Sequence, residues 1–230
     1  GMIGALGRSY GITRDMLKAD PGIEVNAICD INEVHLKKGA EQIAEYNSAR
    51  SPEPFDDYRP MLENADINTV IIGSPDFVHC EQACDSLEAG KHVFCEKPLA
   101  ITLEDCDKMV RTAEEHPELI FMTGLCLRYN PFFIRMKKIA NSGRLGKIKY
   151  AYVVDSVSRG GRYYFHRWSR KKEFVNSLIL QKGCHSIDIA NWILEDTPCS
   201  VFAYGGLDYF GGNRDPKLRC SECADKETCR

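Results

Sequence analysis

Over its first 150 residues the chain alternates short apolar runs with amphipathic stretches, and this rhythm narrows the fold more than any other feature. Parallel strands need a crossover between them, usually a helix, so such a rhythm implies a parallel sheet with helices on its faces. Four runs read as strands: Ile23–Cys29, Thr69–Gly73, His92–Cys95 and Leu119–Thr123. Between them, Asn32–Tyr46, Phe77–Glu88 and Leu103–Glu115 carry helical spacing. Thr102 with Asp105 suits a cap at the start of the third helix, and Gly90 suits a stop for the second. From about Lys147 the texture changes to β-rich runs at 147–158 and 200–210, flanking one helix near Ser186–Leu194. The expected class is α/β, with a parallel sheet over 1–146 and an α+β domain over 147–230 whose open sheet is predominantly antiparallel.

Composition removes several function classes. The 230 residues are 43% hydrophobic, enough for a substantial core. Thirty basic against 33 acidic side chains give a net charge of −3 with no long single-sign run, so nucleic acid is not an expected partner. No apolar stretch could span a bilayer, and the N-terminus lacks a basic region followed by a signal-type apolar core, so no membrane association is expected and the expected location is cytoplasmic. Eight of the 11 cysteines are scattered singly through apolar patterns, which suits reduced, buried thiols. Cys220, Cys223 and Cys229 could hold zinc or an iron–sulfur centre only with a fourth ligand, and none is obvious. A disulfide or an ordinary loop fits them as well, and no metal is expected.

The opening segment contains a glycine turn of the kind that seats a dinucleotide pyrophosphate against a helix N-terminus. Gly4, Gly7 and Gly11 are present, while Leu6 and Ser9 stand where the second and third glycines of G-x-G-x-x-G would fall. Asp30 follows 26 residues after Gly4, close to where a carboxylate grips the ribose hydroxyls of NAD. No arginine follows it to welcome a 2′-phosphate, so NAD is expected over NADP. Farther along, the run His92–Cys95 delivers Glu96, Lys97 and Pro98 to a strand-ending turn. A residue before proline is driven out of the α region, which places Lys97 extended at the carboxyl edge of the sheet, where α/β folds bind ligands. A partly desolvated lysine there can exchange a proton with a substrate hydroxyl. His185 and Asp188, three residues apart at a helix start, share a face and suit the same task.

Taken in order, the glycine turn with Asp30, residues 71–79 (IIGSPDFVH), 95–100 (CEKPLA), 128–131 (RYNP) and 183–188 (GCHSID) resemble the Gfo/Idh/MocA oxidoreductases along essentially the whole chain. The resemblance implies a Rossmann-type domain for NAD or NADP, followed by an α+β domain that carries the substrate site and commonly a homo-oligomer interface on its sheet. It implies hydride transfer at a hydroxyl carbon of a sugar, cyclitol or related polyol. Lys97 would be the acid/base and His185 its assistant. Gly4, Gly7, Arg8, Asp30, Ser74, Pro75, His79, Glu96 and Lys97 would contact the cofactor. Lys97, Gln181, His185 and Asp188 would contact the substrate. From the residues themselves, Arg128 suits a contact with substrate or cofactor phosphate, or equally a surface ion pair, and Tyr163, His166, Arg167 and Trp168 form an aromatic and basic cluster that suits a polyol substrate or interface packing. Gln181 is a departure, because relatives often carry aspartate at that position, and glutamine cannot hold a titratable proton. Relatives are also longer, and Gly1 before Met2 looks like a cut point. These departures motivate an alternative, a cofactor-binding sensor or degenerate member without turnover.

Overall fold

Six short strands form one parallel sheet in the order β3-β2-β1-β4-β5-β6, where β1 is Met2–Ile3, β2 Ala27–Cys29, β3 Glu53–Phe55, β4 Thr69–Ile72, β5 His92–Cys95 and β6 Phe121–Thr123. The structure is a computed structural model and describes residues 1–47, 51–63, 66–157, 164, 168–206, 215 and 218–228. Helices α1 (Arg8–Ala19), α2 (Glu33–Ala44), α3 (Tyr58–Leu62), α4 (His79–Glu88) and α5 (Leu103–Glu115) connect the strands. In register, Met2 faces Ile28 on one side and Ile71 on the other. Chain direction across the sheet reverses at β1, which opens a crevice at its carboxyl end.

Because side chains alternate across a strand, the sheet buries apolar groups on both faces. Ile3, Cys29, Val70, Ile72, Val93 and Cys95 pack with Cys80, Cys84 and Leu87 of α4 and Met109 of α5. Met2 and Ile28 face the other way, toward Leu17 of α1 and Ile43 of α2. A fully buried aliphatic side chain such as Val70 or Ile72, each 0% exposed, contributes about 1.5–3 kcal/mol. The described cysteines are free thiols. Burial pushes Cys29 up to about 12, leaving it an inert core group.

Local chemistry sets the element ends. The Asn32 side chain accepts the His35 N–H at 3.1 Å to start α2, and Thr102 accepts that of Asp105 at 3.1 Å to start α5. Gly90 takes φ +72° just beyond α4 and donates to the Leu87 carbonyl at 2.8 Å. The run 23–29 pairs only from Ala27, because Val25 exchanges two hydrogen bonds with the Asn47 side chain instead of a strand. Strand β3 carries Pro54, which lacks an N–H and suits the sheet edge it occupies.

Beyond β6, α6 (Pro131–Asn141) is capped by Asn130, with proline in its first turn. A short helical turn, α7 (Lys172–Val175), then a π-helical turn (Ile179–Gly183), lead into α8 (Cys184–Leu194). Lys137 of α6 donates to the Trp192 carbonyl at 2.6 Å and pairs with Glu195 at 2.7 Å, holding α6 on α8. The antiparallel sheet expected after residue 147 does not form among the described residues: 147–157 and 198–206 pair with no strand. Within them, Tyr150, Tyr152, Val201, Phe202 and Tyr204 are more than three-quarters exposed. No helix among the described residues is long and apolar enough to cross a membrane.

Candidate active site

The crevice at the carboxyl end of β1 is built by close backbone approach. Gly4 takes φ +87°, and a Cβ there would lie 3.0 Å from the Gly73 backbone. Gly7 takes φ +77° at the cap of α1, while the Ser9 hydroxyl turns back to bond the Gly4 carbonyl. A Cβ on Gly73 would come within 2.7 Å of Ser9, so α1 sits nearly on the end of β4. The Asp30 carboxylate accepts the Ala5 N–H and the Asn32 N–H, each at 2.9 Å, which ties the end of β2 to the glycine turn. A carboxylate has further lone pairs, so Asp30 keeps acceptor capacity for a diol. Gly4, Asp30, Ile31, Ser74, Pro75 and Gln82 help line a cavity of about 450 Å³. That is a volume suited to one half of a dinucleotide. The glycine cradle, which a Cβ would fill, and the remaining acceptor capacity of this carboxylate fit a nicotinamide dinucleotide.

Beside the crevice, Glu96 is an organising carboxylate with its side chain 5% exposed. Its Oε1 pairs with Arg8 at 3.1 Å, and its Oε2 accepts the Lys97 N–H at 3.1 Å. Glu96 thus fixes the Lys97 backbone to the glycine turn. The Lys97 Nζ donates to the Gln181 carbonyl at 2.7 Å, which brings the π-helical turn and α8 to the edge of the sheet. His185, on the first turn of α8, lies in the field of Lys97. Burial, reinforced by Lys97 and Lys182, holds its imidazole below the ordinary value. His185 is therefore neutral at neutral pH and able to accept a proton.

Three expected contacts are placed differently. His79 is 1% exposed, with Nδ1 at 2.9 Å from the Pro98 carbonyl and Nε2 at 3.0 Å from the Ser74 carbonyl. Both ring nitrogens face carbonyl oxygens, and the buried, neutral imidazole carries one N–H and so donates to one of them, bracing the two turns. Arg128 and Asp188 bind one another, Nε–Oδ2 at 2.9 Å and Nη2–Oδ1 at 2.6 Å. Paired this way, they lock the Cys126–Tyr129 turn to α8 rather than offering two separate substrate contacts. Trp168 packs edge-on against Phe77, 6.2 Å between ring centroids. Tyr163, His166, Arg167 and Cys229 lie outside the described residues, while Cys220 opens a short 3₁₀ turn that Cys223 follows.

Sequence reasoning missed Asp76. It opens the 3₁₀ turn after β4, is 4% exposed, and faces Lys97 and the Gln181 side chain. The signal was available, since a strand ending in Ser-Pro-Asp directs its acid to the same sheet edge that carries Lys97. Burial pushes the Asp76 carboxyl up to about 6, against an opposing pull from Lys97. A carboxyl raised in the fold favours the protonated state, so its stabilising contribution is present below about pH 4 and lost as pH rises through about 6. Asp76→Asn is therefore expected to stabilise the protein by on the order of 1–3 kcal/mol at about pH 8 and by little at about pH 4. Urea unfolding of both proteins at the two pH values checks the sign.

Comparison with known proteins adds a family match in both halves. Residues 1–124 match the model of an oxidoreductase family with an NAD-binding Rossmann fold, and residues 133–216 match the GFO/IDH/MocA C-terminal domain. Inositol 2-dehydrogenase from Salmonella typhimurium is 29% identical over 203 residues, covering 88% of this chain and 55% of that enzyme. Inositol 2-dehydrogenase 2 from Saccharopolyspora erythraea is 32% identical over 182 residues, covering 79% of this chain and 49% of that enzyme. A crystal structure of scyllo-inositol dehydrogenase from Lactobacillus casei with bound NAD(H) and scyllo-inositol superposes with a TM-score of 0.72 at 25% identity, covering 85% of this chain and 54% of that one. The chain spans about half the length of these relatives.

Proposed function

Because the chain belongs to the Gfo/Idh/MocA oxidoreductase family, we propose that it is an NAD-dependent dehydrogenase acting on a hydroxyl carbon of a cyclitol, sugar or related polyol. The observation that carries this reading is the double role of Glu96, which holds Arg8 of the glycine turn and the Lys97 backbone at once. Cofactor seat and acid/base group then share one rigid anchor, as hydride transfer requires. When bound, the nicotinamide supplies the hydride acceptor or donor. Lys97 takes the hydroxyl proton during oxidation and returns it during reduction, and His185, neutral and beside it, orients the same oxygen or receives the proton. The inositol dehydrogenases among the relatives favour a cyclitol ring as the substrate class. We also assign a homo-oligomer to this protein, formed through the outward-facing runs near Tyr150–Val154 and Val201–Tyr204, where an antiparallel sheet would gain its partners.

Asp30 sets the cofactor preference in this scheme, since its carboxylate would repel a 2′-phosphate. Following nicotinamide fluorescence, NADH is expected to bind at least about tenfold tighter than NADPH, a difference of about 1.4 kcal/mol. Asp30→Asn removes the charge while its one remaining side-chain oxygen can still accept the Ala5 N–H, at the cost of the bond from the Asn32 N–H, and is expected to close most of that gap. Equal binding of the two dinucleotides by the unaltered protein would contradict the assignment.

A further inference from the structure

Lys97 meets an acidic group that the scheme above leaves unused. The Asp76 carboxyl is held against Lys97 and the Gln181 side chain, and its Oδ2 is buried with no hydrogen-bond partner among the described residues. Gln181 Oε1 and His185 Nδ1 are buried and unpartnered in the same way. Orphaned buried polar atoms are costly and rare, and three of the four among the described residues belong to groups around the Lys97 side chain, the fourth being Asn26 Oδ1. Gln181 stands four residues before His185 and can hydrogen-bond but not titrate. The other charged or titratable groups near Asp76 are Glu96, committed to Arg8 and the Lys97 N–H, and the Cys95 and Cys184 thiols.

We propose that Asp76, at the turn after β4, is the proton-holding partner of Lys97. The proposal rests on the dehydrogenase reading. In oxidation, the substrate O–H bond breaks and its proton forms an N–H bond on neutral Lys97, while the C–H electron pair departs as hydride to the dinucleotide. An N–H bond of Lys97 then breaks as an O–H bond forms on Asp76 Oδ2, and the proton returns to solvent as product leaves. In this scheme Asp76 acts on the substrate only through Lys97, which makes it a positioning residue. Burial that raises its carboxyl to about 6 brings proton exchange within reach of neutral pH.

Asp76→Asn preserves shape and tests the pairing. With an inositol substrate, kcat is expected to fall about 10- to 100-fold, with the KM for NAD and the NADH affinity within about twofold, and the acidic limb of the kcat profile near pH 6 is expected to disappear. An unchanged kcat with an unchanged pH profile would overturn the proposal. Failure of the dehydrogenase reading is separately visible as absence of turnover by the unaltered protein. The pair is then read by amine labelling of Lys97 against pH, quantified by mass spectrometry. Loss of the neighbouring carboxylate should move the labelling midpoint to lower pH in Asp76→Asn, and an unmoved midpoint would overturn the pairing.

Discussion

Lys97→Ala is expected to lower kcat for hydride transfer by about a thousandfold or more while NADH still binds within about threefold, a loss of about 4 kcal/mol confined to the transition state. The split follows from how the residue is held. Its backbone N–H is fixed by Glu96 at 3.1 Å, a bond that alanine retains, so the turn beside the glycine cradle keeps its place. Only the amine is lost, and with it the group assigned here to proton exchange with the substrate oxygen and the 2.7 Å contact to the Gln181 carbonyl. His185 remains, but its lowered basicity makes it a weak replacement. Rapid-mixing measurement of a single turnover separates chemistry from product release. A variant with unaltered single-turnover rate would remove Lys97 from the proton path, whereas loss of NADH binding would show that its main task is structural.

The second large effect falls on folding, at a glycine far from any motif. Gly39 lies on the buried face of α2, and a Cβ there would sit 2.4 Å from the Ala5 carbonyl oxygen and 2.8 Å from the Ala5 Cβ. In an open helix, alanine would gain about 1 kcal/mol over glycine through propensity. Here the colliding atom is backbone of the glycine turn, itself tied to Asp30, so nothing flexible can yield. Gly39→Ala is expected to cost about 2–4 kcal/mol and to weaken NADH binding as the turn is displaced. Gly11 provides the control, because it is also helical and a Cβ there meets nothing within 4 Å. Gly11→Ala should be neutral or stabilising by about 0.5–1 kcal/mol. Equal effects at the two positions in chemical denaturation would contradict the close approach of α2 to the turn.

Much of the first sheet was legible because its signals are local. The run His92–Cys95 and the helix Leu103–Glu115 stand where alternation, caps and periodicity put them. The short edge strand β3 was not, since three residues with a central proline carry too little β pattern to be recognised. Helix α6 was also missed, although Asn130 before Pro131 is a start signal; its exposed Phe132 and Met136 blur the apolar face. At the site, Gly4, Asp30 and Lys97 could be read from motif and position. What each touches could not, because it depends on tertiary meetings between residues far apart in the chain. Arg128 with Asp188, and Asp76 with Lys97, are such meetings. His79 is another, a ring set in the core between the Pro98 and Ser74 carbonyls that nothing in its local sequence announces.

NADH formation by the purified protein from NAD and a panel of inositols, followed by absorbance of the reduced nicotinamide, decides whether hydride transfer takes place. Substrate-dependent formation that Lys97→Ala abolishes is the expected result. Tight NADH binding with no hydride transfer from any cyclitol or sugar offered would contradict it and leave a cofactor-binding protein without turnover.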